Sequence, residues 1–517
     1  MRCAMSWVAC SPMGPGAILR RSRKSKRLRP TKRPEPRSAS GPGGESCCVW
    51  VNGVEVMRDY QVVVIGIGSA GSRAAMLAHQ GGAKTLGVEG AERMGGLCIL
   101  RGCMPTKTLL ETGHRLHEIR DAGRFGIEVA EPKLDFAAMM QRMRSLVDRF
   151  ARAKVSGIEG AGYPILRGQA SFVDEHCIEV DGQRISSDSF VLCTGSKLMP
   201  MPVPVEDGVP MRGSDDMFLL SEAPKSCLSL GAGPVALEFS QWLARCGTKV
   251  TLCNRSPLLK KAPAAFGEEL AQALGEEMQV HTGVLVQRIE RTEDGRARAI
   301  FRDGEGKELV VEAEIVLNGL GRVANFDGMN LEALGLDPHA VEVDSKGRSA
   351  LPHIFVAGDA TNDKQILHEA TLEGARAGRN VLRHLGLLEG ELEGPDPRMP
   401  AVEAIFSDPP FAVCGRLPAE LDAAGVEYLV AEKRFPQQGR GIVVGAQHGL
   451  LQLIAERGSG KILGCAILGP RADDLIHCVV VAMGMGASVR EFFWLPWYHP
   501  TLAEAFIEVA RELAKRC

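Results

Sequence analysis

Gln61-Val62-Val63-Val64-Ile65-Gly66-Ile67-Gly68-Ser69-Ala70-Gly71 is a short apolar run that empties into a glycine turn. The apolar run predicts a strand buried on both faces, as in a parallel sheet. The small residues after it predict a helix, and Lys84-Thr85-Leu86-Gly87-Val88 predicts a second strand. Glu89 closes that strand, 18 residues after Gly71. A lone GxGxxG is a weak signal, and a glycine turn in an unrelated α/β unit competes with it. Flanked by a strand, a helix and an acid about 20 residues on, it is a dinucleotide fingerprint. Gly66, Gly68 and Gly71 allow a tight turn and close approach to a pyrophosphate. Ser69 and Ala70 open a helix whose N-terminus offers amides and a positive dipole end. Glu89 would accept from ribose hydroxyls.

Working outward, the pattern recurs. Ser226–Leu230 leads into Gly231-Ala232-Gly233-Pro234-Val235-Ala236, then a helix to about Cys246, then a strand at Lys249–Cys253. Asn254 stands where an acid would favour NAD, and Arg255 follows. A missing acid beside an Arg suits the 2′-phosphate of NADP; the plain alternative is a surface Arg. His353–Ala360 is a third strand, ending at Gly358-Asp359, and a helical pattern runs from Ala370 to Leu385. Residues 389–400 are acidic and Gly/Pro-rich, as a linker would be. From Ala401 strands and amphipathic helices alternate. The expected fold class is α/β: two Rossmann-like dinucleotide-binding domains plus a C-terminal α+β domain.

The 517 residues sum to a net charge of −2, but two unlike parts make up that figure. Residues 1–56 carry 11 Lys+Arg against 3 Asp+Glu, which leaves the remainder at −10. An acidic body argues against nucleic acid as a partner. No apolar run approaches the roughly 18 residues of a membrane span. Three readings fit the basic head: a disordered tail, an Arg-rich transit peptide, or upstream translation from a misplaced start. Met57, directly before the first strand, favours the last and a cytoplasmic protein; a transit peptide would make it organellar.

Fifteen cysteines are too few for a disulfide scaffold of this length. Cys193, Cys227, Cys246 and Cys465 sit in apolar context and read as small core residues. Cys98 and Cys103, in Gly95-Gly96-Leu97-Cys98-Ile99-Leu100-Arg101-Gly102-Cys103-Met104-Pro105-Thr106-Lys107, are different. Pro105 marks a helix start, where the dipole and Lys107 lower the pKa of Cys103. A low-pKa thiolate beside a resolving cysteine suits dithiol–disulfide exchange. Two core cysteines brought near by chance is the alternative. A metal would need two further ligands, none of which follow at zinc spacing, so no metal is expected. In Tyr498-His499-Pro500-Thr501-Leu502-Ala503-Glu504, the residue before Pro is held extended. Thr501 and Glu504 read as a capping box. The competing reading is a histidine base oriented by a carboxylate.

These motifs together resemble the pyridine nucleotide–disulfide oxidoreductases, most nearly their dihydrolipoyl (dihydrolipoamide) dehydrogenase branch. The resemblance covers about 57–517 and rests on GIGSAG, GGLCILRGCMPTK, CTGS at 193–196, GAGPVALE, GR at 321–322, VAGDA, LHEA at 367–370 and HPTLAE. It implies an FAD domain split over 57–204 and 325–392, an NAD(P) domain at 205–324 and a dimerisation domain at 398–517. It implies a redox disulfide in which Cys98 meets substrate and Cys103 faces the flavin. Lys107 and Glu238 would form a charge pair near the flavin. Asp359 would bind the ribityl chain. Gly96, Ala170, Thr194, Gly195, Gly321, Arg322, Gly358, Leu367 and His368 would belong to the cofactor sites, with Gly231, Gly233, Asn254 and Arg255 facing NAD or NADP. His499 and Glu504 would complete the active site of the other subunit of a homodimer. The implied reaction carries electrons from dihydrolipoamide through the cysteine pair and FAD to NAD(P)+. A glutathione-type or mercuric reductase competes, although the chain ends Ala514-Lys515-Arg516-Cys517, without the vicinal cysteines of the latter. A redox sensor or a structural subunit of a 2-oxo acid dehydrogenase complex is the non-enzymatic alternative.

Overall fold

A computed structural model describes residues 47–51 and 54–517. Its first sheet has the parallel order Ile165–Arg167, Thr85–Glu89, Tyr60–Ile65, Gln183–Leu192, Ile354–Val356. Val62, Val63 and Val64 are fully buried, as a strand covered on both faces requires. The first half of Gln183–Leu192 pairs instead with Cys177–Val180, which pairs with Ala170–Asp174, an antiparallel meander. Helix Ser69–Gln80 packs on Leu367–His384 almost backbone to backbone. A Cβ at Gly374 would stand 2.2 Å from the Ala70 carbonyl oxygen, so only glycine allows that approach.

The second sheet repeats the plan. Its parallel order is Met211–Arg212, Ile315–Asn318, Ser226–Leu230, Lys249–Asn254, Gln279–Thr282. A separate three-stranded antiparallel sheet follows, Leu285–Arg291, Ala297–Arg302 and Glu308–Ala313. Two short strands, Ser196–Leu198 and Arg322–Ala324, pair where the chain leaves and re-enters the first unit. The C-terminal unit is an antiparallel sheet in the order Val402–Ile405, Phe411–Gly415, Ile462–Leu468, Leu450–Glu456, Tyr428–Arg434. Helices Ala472–Gly484 and Ala505–Arg516 bury Ile476, Val479, Phe506 and Val509 in its core.

Three local features depart from the sequence reading. Residues 47–51 and 54–56 belong to the basic head, one reading of which is a disordered tail, yet Cys47–Val51 pairs antiparallel with Val54–Arg58. Residues 1–46 of that head lie outside the described residues. The linker at 389–400 is fastened rather than free. The Glu393 carboxylate accepts from Arg379 and Arg383, and its backbone N–H donates to Asn380 at 2.7 Å. Third, the helix after His499-Pro500 begins late: a 3-10 turn, Leu502–Glu504, precedes helix Ala505–Arg516. Among the described residues, no helix is long and apolar enough to cross a membrane.

Candidate active site

Cys98 lies in the one-turn helix Leu97–Arg101, and Cys103 opens the long helix Cys103–Asp121, with Gly102 breaking the chain between them. Both are free thiols here, hydrogen-bonded to each other. The bond from Cys98 and the nearby Lys107 ammonium outweigh partial burial and hold the Cys103 thiol down at about 7. Accepting a proton beside that thiolate is costly to undo, so the Cys98 thiol is pushed up, first by its bond to Cys103 and then by burial. The pair therefore divides into one thiolate and one thiol, and the sulfur of lower pKa is the faster leaving group in exchange. Lys107 is one helical turn beyond Cys103. Its Nζ donates to Glu238 Oε2 at 2.7 Å and Oε1 at 2.9 Å. Glu238 is 2% exposed and also accepts from the Phe406 N–H.

The first glycine turn is pressed against backbone at its first and third glycines. Gly66 has φ +88, and its missing Cβ would lie 2.3 Å from the Cys193 carbonyl oxygen. A Cβ at Gly71 would stand 1.8 Å from the Gly66 oxygen. Gly68 and Gly96 face each other, with a Gly96 Cβ only 3.0 Å from the Gly68 Cα. Ser69 and Ala70 start the helix behind this turn, with Gly68 as its cap. Glu89 is buried; its carboxylate accepts from the Ile67 N–H at 3.0 Å and the Ala91 N–H at 2.9 Å. It thus shapes the turn. Nearby, Arg322 Nε donates to Ser196 Oγ at 2.8 Å, and Ser196 Oγ donates to Asp359 at 2.7 Å. Gly358 donates its N–H to Glu373 at 2.8 Å. Thr194 Oγ1 is buried with no hydrogen-bond partner. Gly195 and Gly321 accept from Asn325 and Met199, tying the crossover strands together. Ala170 is buried at the start of its strand, whereas Leu367 and His368 open their helix exposed. A glycine cradle with an unpartnered hydroxyl and a carboxylate at a helix start fits a dinucleotide with a polyol chain.

The second turn is more open. Gly231 has φ +106 and abuts the Gly319 oxygen, but a Cβ at Gly233 would meet nothing within 4 Å. Asn254 Nδ2 donates to the Ser256 carbonyl oxygen at 2.6 Å. Arg255 is exposed and has no acidic partner among the described residues.

At the far end of the chain His499 Nδ1 is 2.9 Å from Glu504 Oε1. The other oxygen, Oε2, accepts from the Thr501 N–H at 2.8 Å. One carboxylate therefore caps the turn and orients the imidazole at once. The Thr501 N–H and then the His499 ring hold the Glu504 carboxyl below its usual range. An ionised acceptor fixes the Nδ1 proton and leaves Nε2 free to take one. The His499 side chain is 80% exposed, and so are Trp494 at 80% and Tyr498 at 83%. Among the described residues, no hydrogen bond or ion pair joins it to the cysteine helix.

The family model for pyridine nucleotide-disulphide oxidoreductases matches residues 60–374, and that for their dimerisation domain matches 401–510. The chain belongs to this family. Members of the family are enzymes that combine FAD with a pyridine nucleotide. A dihydrolipoyl dehydrogenase of Thermus scotoductus is 30% identical over 89% of this chain and 98% of its own length. A mercuric reductase of Staphylococcus aureus is 29% identical over 88% of this chain and 83% of its own. The fold is also similar to an HOCl-induced flavoprotein disulfide reductase of Escherichia coli, with a TM-score of 0.75 at 22% identity, covering 87% and 99% of the two chains. Within this family member, sequence reasoning missed Ser196 as the link from Arg322 to Asp359, and Glu373 behind Gly358. It also missed Lys154, whose Nζ donates to Ser72 at 2.9 Å beside the first turn. Burial lowers the Lys154 pKa and the proximity of Cys98 opposes that fall. No spacing rule marks these residues, because each bonds to a partner on a distant segment.

Proposed function

We propose that the protein is a homodimeric dihydrolipoyl dehydrogenase working through a Cys98–Cys103 disulfide. The observation that supports this reading is geometric: Cys98 and Cys103 flank a helix start one turn from the Lys107–Glu238 pair, and a histidine elsewhere is held by Glu504. Cys103, with its thiol held at about 7, is the better leaving sulfur, so an incoming thiolate attacks Cys98. His499 of the partner subunit takes the proton of that substrate thiol at Nε2. The Cys98–Cys103 bond breaks, and Cys103 leaves as a thiolate facing Lys107. The second substrate thiol then attacks the mixed disulfide, releasing the cyclic lipoyl disulfide and leaving Cys98 as a thiol. Two electrons and two protons thereby move from substrate to enzyme. Dimerisation would cover the exposed Trp494 and Tyr498 and bring His499 to the other subunit's cysteines.

FAD would lie in the cradle of Gly66, Gly68, Gly71, Gly96, Thr194, Gly195 and Asp359, where it supplies hydride chemistry to the nicotinamide. Glu89 would hold the adenosine end, and Lys107 with Glu238 would lie near the isoalloxazine. The remaining assigned positions, Ala170, Gly321, Arg322, Gly358, Leu367 and His368, frame that cradle. Gly231, Gly233, Asn254 and Arg255 receive the nicotinamide dinucleotide. A second reading, an NADPH-dependent disulfide or mercuric reductase, is favoured by one observation: Asn254 is turned to its own loop while Arg255 is unpaired and exposed. Steady-state rates with NAD and NADP against dihydrolipoamide, glutathione disulfide and Hg(II) test both. The first reading predicts that dihydrolipoamide gives the highest kcat/KM. A higher value with glutathione disulfide or Hg(II) would replace it with the second.

A further inference from the structure

Cys98 and Cys103 sit on separate helices, and each helix carries its own ion pair to the unit of the second sheet. On the Cys103 side, Lys107 bonds both oxygens of Glu238, whose side chain is 3% exposed. On the Cys98 side, Arg101 Nη1 donates to Asp215 Oδ2 at 2.9 Å. Arg101 ends the one-turn helix Leu97–Arg101, so it belongs to the element that carries Cys98. Gly102, at φ −136 and ψ −118, interrupts the helical ladder before Cys103.

The two anchors share one packed base. Glu238 lies in helix Pro234–Arg245 and Asp215 in the short helix Ser214–Met217. Met217 is fully buried, and the ring of Phe218 lies 5.6 Å from the Phe239 ring of the longer helix. Asp215 is itself oriented, because its Oδ1 accepts from the Ser214 hydroxyl at 3.2 Å. The Asp216 carboxylate accepts from the Gly213 N–H at 2.7 Å and caps the same turn.

The Cys98 helix needs an anchor more than its neighbour does. None of its five residues is buried, whereas helix Cys103–Asp121 buries seven, Leu109 and Leu110 among them. Among the described residues, Arg101–Asp215 is the one ion pair that the Cys98 helix makes. Its side chains are 56% and 37% exposed. Exposed pairs are weak, so this one does not hold the fold together; it biases where a lightly packed turn sits.

We propose that Arg101 is a positioning residue: through Asp215 it pins the Cys98 helix to the base that holds the Cys103 helix, and so keeps the two sulfurs within reach of each other. This rests on the reading of Cys98 and Cys103 as the redox pair. Loosening the anchor gives the dithiol form more freedom, while the disulfide form stays crosslinked. The effective concentration of one thiol at the other falls, and the equilibrium moves toward the dithiol.

The test is the dithiol–disulfide equilibrium constant of the pair in the holoenzyme, set by a dithiothreitol redox buffer and read by iodoacetamide quench and peptide mass mapping. Arg101→Gln and Asp215→Asn are each expected to favour the dithiol by about threefold, a rise of about 14 mV for a two-electron couple. The sign separates positioning from charge. One variant removes a positive charge and the other a negative one, so a through-space effect on the thiols would move the constant in opposite directions. The double variant is expected to match either single one, because both break the same contact. Opposite signs, folded single variants at the wild-type value, or a double variant displaced by the sum of the two would overturn the proposal alone. A wild type whose pair shows no redox-dependent labelling would overturn the functional reading with it.

Discussion

The two glycine turns share one fingerprint but not one environment. In the first, Cβ atoms at Gly66 and Gly71 would collide with backbone, and buried Glu89 accepts from the Ile67 N–H of the turn and from the Ala91 N–H beyond it. In the second, Gly233 faces open space and Arg255 is exposed. The difference teaches how one motif can serve two kinds of ligand. A closed, pre-shaped turn suits a cofactor that stays, whereas an open turn suits a nucleotide that exchanges each cycle.

The largest expected effect comes from closing the first turn further. Gly71→Ala places a Cβ 1.8 Å from the Gly66 oxygen, and it should abolish flavin incorporation, read as loss of visible absorbance in the purified protein. A yellow, folded variant would break the contrast. Next is Glu89→Gln, which exchanges a charge-assisted acceptor for a neutral one. Hydrogen bonds to charged groups contribute about 1.5–3 kcal/mol, so FAD affinity should fall about tenfold or more, measured by reconstitution titration. Arg255→Glu should follow, moving the NADP/NAD ratio of kcat/KM toward NAD by about tenfold with Tm unchanged, as removal of an unpaired 2′-phosphate contact implies. The smallest change is Gly233→Ala. Nothing lies within 4 Å of the added Cβ, so Tm should hold while the KM for nucleotide rises. A fall in Tm as large as that of Gly71→Ala would erase the distinction.

The same contrast explains what was legible in the sequence. Both turns could be read, because a strand, glycines at fixed spacing and a following helix are local signals. The cysteine pair was legible for the same reason, since Gly102, Cys103 and Pro105 mark a helix start. At His499 two readings competed: one Glu504 oxygen accepts from the Thr501 N–H as a capping box does, and the other lies 2.9 Å from His499 Nδ1. The pairing of Lys107 with Glu238 came from family resemblance, as residues 131 apart carry no local sign of contact. Lys154, whose partner Ser72 is 82 residues away, stayed invisible for the same reason. The composition of 389–400 marked a linker but gave no sign that Glu393 ties it to helix Leu367–His384 through Arg379, Arg383 and Asn380. Composition reports the average solvation of a segment and not the one side chain that anchors it.

The central claim is that Cys98 and Cys103 carry electrons between a disulfide and a pyridine nucleotide. The most direct measurement is anaerobic addition of reduced nucleotide to the oxidised holoenzyme, an iodoacetamide quench and peptide mass mapping. The account predicts new labels on Cys98 and Cys103 together, with buried Cys193 and Cys227 unchanged. Oxidation of the nucleotide without new label on that pair would contradict it.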